Sequence, residues 1–148
     1  MNFFSKSIII SILLFFVASC HEYLVGNIKV EKHDFKSVEG FNYIKNYDRF
    51  IMKGKIDNEI FVGDIQPVEV MRKIERKRFP DVKSSTIRKA NKFAFTRLTG
   101  SRGRTVECFI RQASPKYFRL GGRGRCYMLE TRQEFDIIIA KKNLYAFI

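Results

Sequence analysis

The stretch "RFIMKGKIDNEIFVGDI", residues 49–65, carries the clearest folding signal in the chain. Two runs rich in apolar residues, 49–56 and 59–65, flank the pair Asp57-Asn58. Asp and Asn commonly form turns. The pattern therefore predicts a β-hairpin.

The next segment, "QPVEVMRKIERKRFP", residues 66–80, changes to helical spacing. Pro67 suits the first position of a helix, and Glu69 suits the positive end of the helix dipole. Val70, Met71 and Ile74 fall on one side of such a helix, and most of the other side chains are Lys or Arg. The segment predicts one amphipathic helix over residues 66–79.

Alternating apolar residues return after residue 92 and continue almost to the end of the chain. They predict a second hairpin around the turn "GSRG", residues 100–103, and a third around "GGRG", in which residues 117–120 pair with residues 125–131. The closing segment "EFDIIIAKKNLYAFI", residues 134–148, indicates a fourth hairpin. The expected fold is therefore α+β, mainly an antiparallel sheet built from hairpins with one packed helix.

The first nineteen residues have the three zones of an export signal. One cation, Lys6, precedes an apolar run over residues 8–18, and the small residue Ser19 follows the run. A membrane-spanning helix needs roughly 20 apolar residues, whereas the apolar region of a signal peptide needs roughly 7 to 15. Residues 1–19 are therefore predicted to be a signal peptide.

The end of this leader, Val17-Ala18-Ser19-Cys20, resembles the lipobox of bacterial lipoproteins. The resemblance implies that Cys20 is acylated and becomes the first residue of the finished protein in the cell envelope. Enteric lipoproteins held at the inner membrane tend to carry an aspartate after the cysteine, and His21 stands there in this chain, so the resemblance favours the outer membrane. The alternative is an ordinary secretory leader, cut near Ala18 or Cys20, and a secreted protein.

The mature chain divides into a tether and one domain. Residues 20–40 mix charges of both signs with little periodicity, and they predict a lipid-anchored tether. The alternative for residues 23–30 is a first β-strand. Residues 41–148 are predicted to form a single domain, a length typical of one hydrophobic core.

Two cysteines, Cys108 and Cys126, remain once Cys20 is acylated. An even pair in an exported chain predicts a disulfide, and the alternative is two separate buried thiols. No metal site and no cofactor are expected, because the two cysteines are far apart in sequence and have no histidine nearby.

The charge of the mature chain is concentrated in its middle. Residues 82–129 hold twelve Lys and Arg and one acid, Glu107, whereas residues 20–81 hold twelve cations and eleven acids. A field of one sign attracts anions and steers their approach. The expected partner is therefore an anionic lipid, a cell-wall polymer or an acidic protein. Nucleic acid is not expected, because an exported protein rarely meets it.

Arginines beside the two glycine-rich turns are the candidate anion-binding residues, because turn N–H groups and guanidinium groups can together hold a phosphate or a carboxylate. We expect both turns to meet at one edge of the sheet and to form one basic face. The predicted face consists of Lys92, Arg97, Arg102, Arg104, Arg123 and Arg125.

No catalytic set stands out in the sequence. The two histidines, His21 and His33, both lie in the predicted tether, which is a poor place for a rigid active site. The chain is therefore predicted to be a lipid-anchored binding or scaffold module and not an enzyme. The alternatives are a secreted factor directed at a host or a competitor, and a small periplasmic hydrolase.

Overall fold

The computed structural model describes residues 24–46, 49–80, 82–83, 93–111 and 121–140. Eight antiparallel strands each pair with the next, and the last pairs with the first to close a barrel. The strands are β1 Leu24–Glu31, β2 Val38–Asn46, β3 Arg49–Ile56, β4 Glu59–Pro67, β5 Phe93–Gly100, β6 Thr105–Arg111, β7 Gly122–Met128 and β8 Glu134–Ile139.

The expected α+β fold is wrong, because the sheet closes on itself and the described residues contain no α-helix longer than the six residues of Lys73–Arg78. Two of the predicted hairpins are confirmed, β3 with β4 and β5 with β6. Asp57 and Asn58 both have positive φ angles, of 46° and 63°, as the two-residue turn between β3 and β4 requires. The hairpin signals were therefore local and correct, whereas the closure is a long-range feature.

The predicted third hairpin is wrong in its turn. Strand β7 already begins at Gly122, inside the expected turn "GGRG", and it pairs with β6 on one side and β8 on the other. Residues 117–120 and 141–148, the remaining parts of the third and fourth predicted hairpins, lie outside the described residues.

The predicted tether over residues 20–40 is wrong for the part that the structure describes. Residues 24–31 form β1, which pairs with β2 and β8, so the alternative of a first strand is confirmed. The barrel therefore begins at least as early as Leu24, not at residue 41. The proposed leader and Cys20 lie outside the described residues.

The predicted helix over residues 66–79 is also wrong. Strand β4 continues to Pro67, a 3-10 turn covers Val68–Val70, and an α-helix, α1, covers only Lys73–Arg78. Two side chains expected to be buried, Val70 and Ile74, are 49% and 57% exposed. The reason is that the acid Glu75 takes the buried position, where arginine side chains bind it.

The interior of the barrel is filled by side chains that alternate along each strand. Its largest fully buried members are Tyr43, Phe61, Phe135, Met52, Ile56, Leu98, Ile110, Met128 and Ile137. An eight-stranded barrel is just wide enough for such side chains to fill. Intervening residues such as Lys53, Arg123 and Glu134 are exposed on the outer surface.

The two ends of the barrel differ in the connections they hold. The turns that follow β1, β3, β5 and β7 lie together at one end, here called the turn end. The start of β1 and the finish of β8 lie at the opposite end, here called the N-terminal end. Strand β6 finishes and β7 begins at this N-terminal end as well.

The predicted disulfide is present. Cys108 on β6 and Cys126 on β7 face each other in register inside the barrel, and their sulfur atoms are bonded. The bond bridges 18 positions of sequence across the connection between the two strands.

Replacing both bridged cysteines by alanine is expected to lower the free energy of unfolding by about 3 kcal/mol, because a cross-link of this length restricts the unfolded chain. Urea denaturation of the oxidised protein and of the double variant would measure the difference. A double variant as stable as the oxidised protein would contradict this account.

Candidate functional site

A short segment crosses the outer surface of the barrel over β5 and β6. This strap, residues 68–79, contains the 3-10 turn and α1. Val68, Met71 and Phe79 are buried in a cluster with Phe95 of β5 and Phe109 of β6. The strap therefore has an apolar attachment of its own, separate from the core inside the barrel.

A buried ion network joins the strap to the outer faces of β5 and β6. Glu107 of β6 is fully buried, and its two carboxylate oxygens accept hydrogen bonds from Nε and Nη2 of Arg78 at 2.7 and 2.8 Å. Arg97 of β5, directly opposite Glu107 in the sheet, donates to the same carboxylate at 2.9 Å. The pairing with Glu107 raises the pKa of Arg78. One carboxylate thus joins α1 to two strands.

Glu75 of α1 is the second buried acid of this network. Its carboxylate accepts hydrogen bonds from the backbone N–H of Arg72 at 2.6 Å and from Arg97. Burial alone would raise the pKa of Glu75, but the hydrogen bonds from Arg72 and the charge of Arg97 outweigh it and hold that pKa below its usual value. Glu107 and Glu75 therefore both hold the strap against the barrel.

An open groove of about 270 Å³ lies beside the strap, on the outer surface of β6, β7 and β8. Phe79 and Phe109 form its apolar floor, and the guanidinium of Arg111 lies 6.0 Å from the centre of the Phe109 ring. Arg123 and Arg125 of β7 add two exposed guanidinium groups. This basic groove is defined by Phe79, Phe109, Arg111, Arg123 and Arg125.

The register of the strands fixes the spacing of the three arginines in the basic groove. Arg111 and Arg123 are direct partners across β6 and β7, so their Cβ atoms lie about 5 Å apart. Arg123 and Arg125 lie on the same face of β7, about 7 Å apart. Three guanidinium groups at this spacing can bind one phosphate or carboxylate group from several sides.

Two acidic residues, Glu31 and Asp136, also line the basic groove. Asp136 of β8 pairs in register with Arg125, and its Oδ2 lies 3.3 Å from Nζ of Lys32. Glu31 is held by Lys29 at 2.7 Å, and its hydrogen bond to Lys29 lowers the pKa of its carboxyl. Both acids thus have a lysine partner, and the charge of Arg123 also lowers the pKa of Glu31.

The turn end holds a different arginine pair. Glu59 points into the barrel and is fully buried, and it accepts hydrogen bonds from the Arg104 side chain and from the backbone N–H of Arg102. Burial alone would raise the pKa of Glu59, but these hydrogen bonds outweigh it and lower that pKa. The Arg104 guanidinium also covers the ring of Phe61 at 5.6 Å. Arg104 therefore closes this end of the barrel.

The structure brings together only part of the predicted basic face. Arg123 and Arg125 share the basic groove, whereas Arg102 and Arg104 lie at the turn end. Phe109, the register partner of Arg125, lies five residues beyond Arg104 in the chain, which is about 17 Å along a strand. Arg97 is committed to the buried network under the strap. Lys92 lies outside the described residues.

Sequence reasoning missed Arg111, Phe79 and Phe109 as groove residues. The useful signal was the alternation of β6, which places Phe109 and Arg111 on the face opposite Cys108 and Ile110. That face becomes a groove wall only because β7 continues back to Gly122 and sets Arg123 beside Arg111. The contribution of Phe79 depends on the strap and has no local sequence signal.

The part of the chain that the structure describes contains a single histidine, His33. His33 lies in the turn between β1 and β2 and stacks on Phe35 with ring centres 5.8 Å apart, and it does not line the basic groove. Within the described ranges, no three acidic, cysteine or histidine side chains are grouped to hold a metal ion. In those ranges, too, no helix is long and apolar enough to cross a membrane.

Comparison with known proteins gives no further assignment. No protein-family model, curated protein or solved structure matches this chain. The functional argument therefore depends on the residues of the basic groove.

Proposed function

We propose that this chain is an exported, lipid-anchored binding module of the bacterial envelope that binds an anionic partner through the basic groove. The observation that carries the proposal is the set of three arginines, Arg111, Arg123 and Arg125, around an apolar floor on the outer surface. The excess of cations in residues 82–129 supports it, because a long-range positive field speeds the encounter with an anion.

The anchor is the second part of the proposal and depends on the resemblance to the lipobox. Acylation of Cys20 would hold the barrel at a membrane, since two or more acyl chains give stable attachment. Metabolic labelling with a radioactive fatty acid would test it: the wild-type chain should incorporate the label, and the Cys20→Ser variant should not. Label that persists in the variant would leave the secreted alternative.

Reversing the two groove arginines of β7, Arg123→Glu with Arg125→Glu, is expected to weaken binding of polyphosphate by at least about tenfold. Each hydrogen bond to a charged group contributes about 1.5–3 kcal/mol, and about 1.4 kcal/mol corresponds to a factor of ten. Isothermal titration calorimetry would measure the change. It would compare the mature Cys20→Ser protein with and without the two arginine reversals, at low and at physiological salt. Wild-type binding should weaken as salt rises, because exposed charges are screened.

The matched control reverses two lysines on the outer surface of β3, Lys53→Glu with Lys55→Glu. Strand β3 lies four strands from β7 around the barrel, and both double variants change the net charge equally. The control should retain most of the affinity for polyphosphate. Equal losses in the two double variants would mean that only the net charge matters, and the basic groove would not be a site.

A further inference from the structure

The chain enters the barrel at the N-terminal end, close to the proposed anchor. The structure describes strand β1 from Leu24, so Cys20 stands only four residues before the first described residue of the barrel. Four residues reach at most about 14 Å when fully extended. An acylated Cys20 would therefore hold the N-terminal end of the barrel within one short reach of the membrane surface.

The charges of the basic groove are ordered along the barrel. Arg111 is the last residue of β6, and its partner Arg123 is the second residue of β7, so both lie near the N-terminal end. Glu31 is the last residue of β1 and therefore lies toward the turn end. Asp136 lies three residues before the end of β8, where it pairs in register with Glu31. Arg111 and Arg123 thus lie nearer the proposed anchor than the acids, whereas Arg125 lies level with Asp136.

Further features of the N-terminal end suit a membrane surface. Phe93 begins β5 at this end, is half-buried, and stacks on Phe109 with ring centres 5.6 Å apart. The groove thereby has phenylalanine rings beside guanidinium groups, and basic residues together with phenylalanine are typical of surfaces that lie in the membrane interface.

We propose that the basic groove binds the phosphate headgroups of anionic lipids in the same leaflet that holds the acylated Cys20. This inference rests on the proposed function and names its anionic partner. The groove would act as a second attachment, since clustered basic residues strengthen a lipid anchor on an anionic surface. A short tether also raises the effective concentration of headgroups around the groove to the millimolar range or above.

The test attaches the mature, unacylated chain to vesicles through Cys20. Cys108 and Cys126 are joined in the disulfide, so the Cys20 thiol can be coupled selectively to a maleimide lipid. One set of vesicles contains only phosphatidylcholine besides the maleimide lipid, and the other also contains phosphatidylglycerol. Phenylglyoxal then modifies accessible arginines, and mass spectrometry measures the rate at each one.

On anionic vesicles, modification of Arg123 and Arg125 is expected to slow several-fold relative to neutral vesicles. Arg102, exposed at the turn end, should react equally on both. The protection should disappear at high salt, and the Arg123→Glu, Arg125→Glu variant should lose the protection of Arg111. The untethered Cys20→Ser protein should show less protection at the same lipid concentration, because it lacks the local attachment.

Equal reactivity of Arg123 on neutral and anionic vesicles would overturn the inference, as would protection of Arg102 instead. Protection equally strong without the tether would refute attachment within one leaflet. If the groove still binds polyphosphate while the tethered protein shows no lipid-dependent protection, the proposed function holds and this inference fails. Loss of selective polyphosphate binding is the separate result that defeats the proposed function.

Discussion

Replacing Glu107 by alanine is expected to lower the free energy of unfolding by about 3 kcal/mol. Glu107 is fully buried and is the shared acceptor of Arg78 and Arg97, so its removal leaves Arg78 without a carboxylate partner and Arg97 with Glu75 alone. Breaking a buried ion pair from one side costs about 3–5 kcal/mol, and the lower end applies because the Arg97 side chain remains 35% exposed. Denaturation in urea would measure the loss.

The matched control for Glu107 is Glu134→Ala. Glu134 lies on the outer surface of β8 but is exposed, so its removal should change the free energy of unfolding by no more than about 0.5 kcal/mol. Glu107→Gln should fall between the two variants, because the amide keeps the shape and one hydrogen-bond acceptor while losing the charge. A Glu107→Ala protein as stable as the control would show that the network contributes nothing to the fold.

The Glu107 variant also connects stability with the basic groove. Arg78 is the last residue of α1, and the next residue, Phe79, forms part of the groove floor. In the Glu107→Ala variant, Arg78 loses its carboxylate partner. The strap should therefore be held less firmly and polyphosphate binding should weaken, although Glu107 itself does not line the basic groove. The Glu134→Ala control should bind as the wild-type protein does.

The sequence predicted local pairings well because their signals are local. Asp57-Asn58 identified the turn between β3 and β4, and the alternation around residues 100–103 identified the pairing of β5 with β6. The disulfide followed from the export context and an even number of cysteines, and its two residues indeed face each other on neighbouring strands. None of these inferences required knowledge of the complete sheet.

The strap could not be predicted from periodicity, because an ion network overrides the hydrophobic pattern. Val70, Met71 and Ile74 have the spacing of one helical face, yet only Met71 is buried. Glu75 occupies the buried side because Arg97, twenty-two residues later, reaches it from β5. A carboxylate whose partners lie so far along the chain reads as a surface residue in the sequence.

The arginines of the predicted basic face lie at separate places on the barrel, because their geometry depends on where β7 begins. The sequence "GGRGR" indicates a turn, but Gly122, Arg123 and Gly124 continue the strand and pair with β8. A side chain at Gly124 would meet Ile137 at 2.8 Å, so the glycine permits the close approach of the two strands. Arg123 and Arg125 consequently face outward from a wall of the barrel instead of standing on a turn.

Closure of the barrel was the largest omission, and Phe135 of β8 is the residue that tests it best. Phe135 is 2% exposed, and its ring makes edge contacts with Phe35 at 5.2 Å and Phe41 at 6.5 Å. Phe35 follows β1, and Phe41 belongs to β2. These contacts join the last strand to the beginning of the chain, so they exist only when the barrel is closed.

Phe135→Ala is expected to lower the free energy of unfolding by about 3–5 kcal/mol, the usual cost of removing a buried aromatic ring. Phe135→Leu should cost less, about 1.5 kcal/mol, because most of the volume remains. Ile138→Ala, on the outer face of the same strand, should cost about 1 kcal/mol or less. Urea denaturation would compare the three variants, and the leucine variant keeps the test valid should the alanine variant fail to fold. If both Phe135 substitutions cost no more than Ile138→Ala, β8 does not close the barrel against the first two strands.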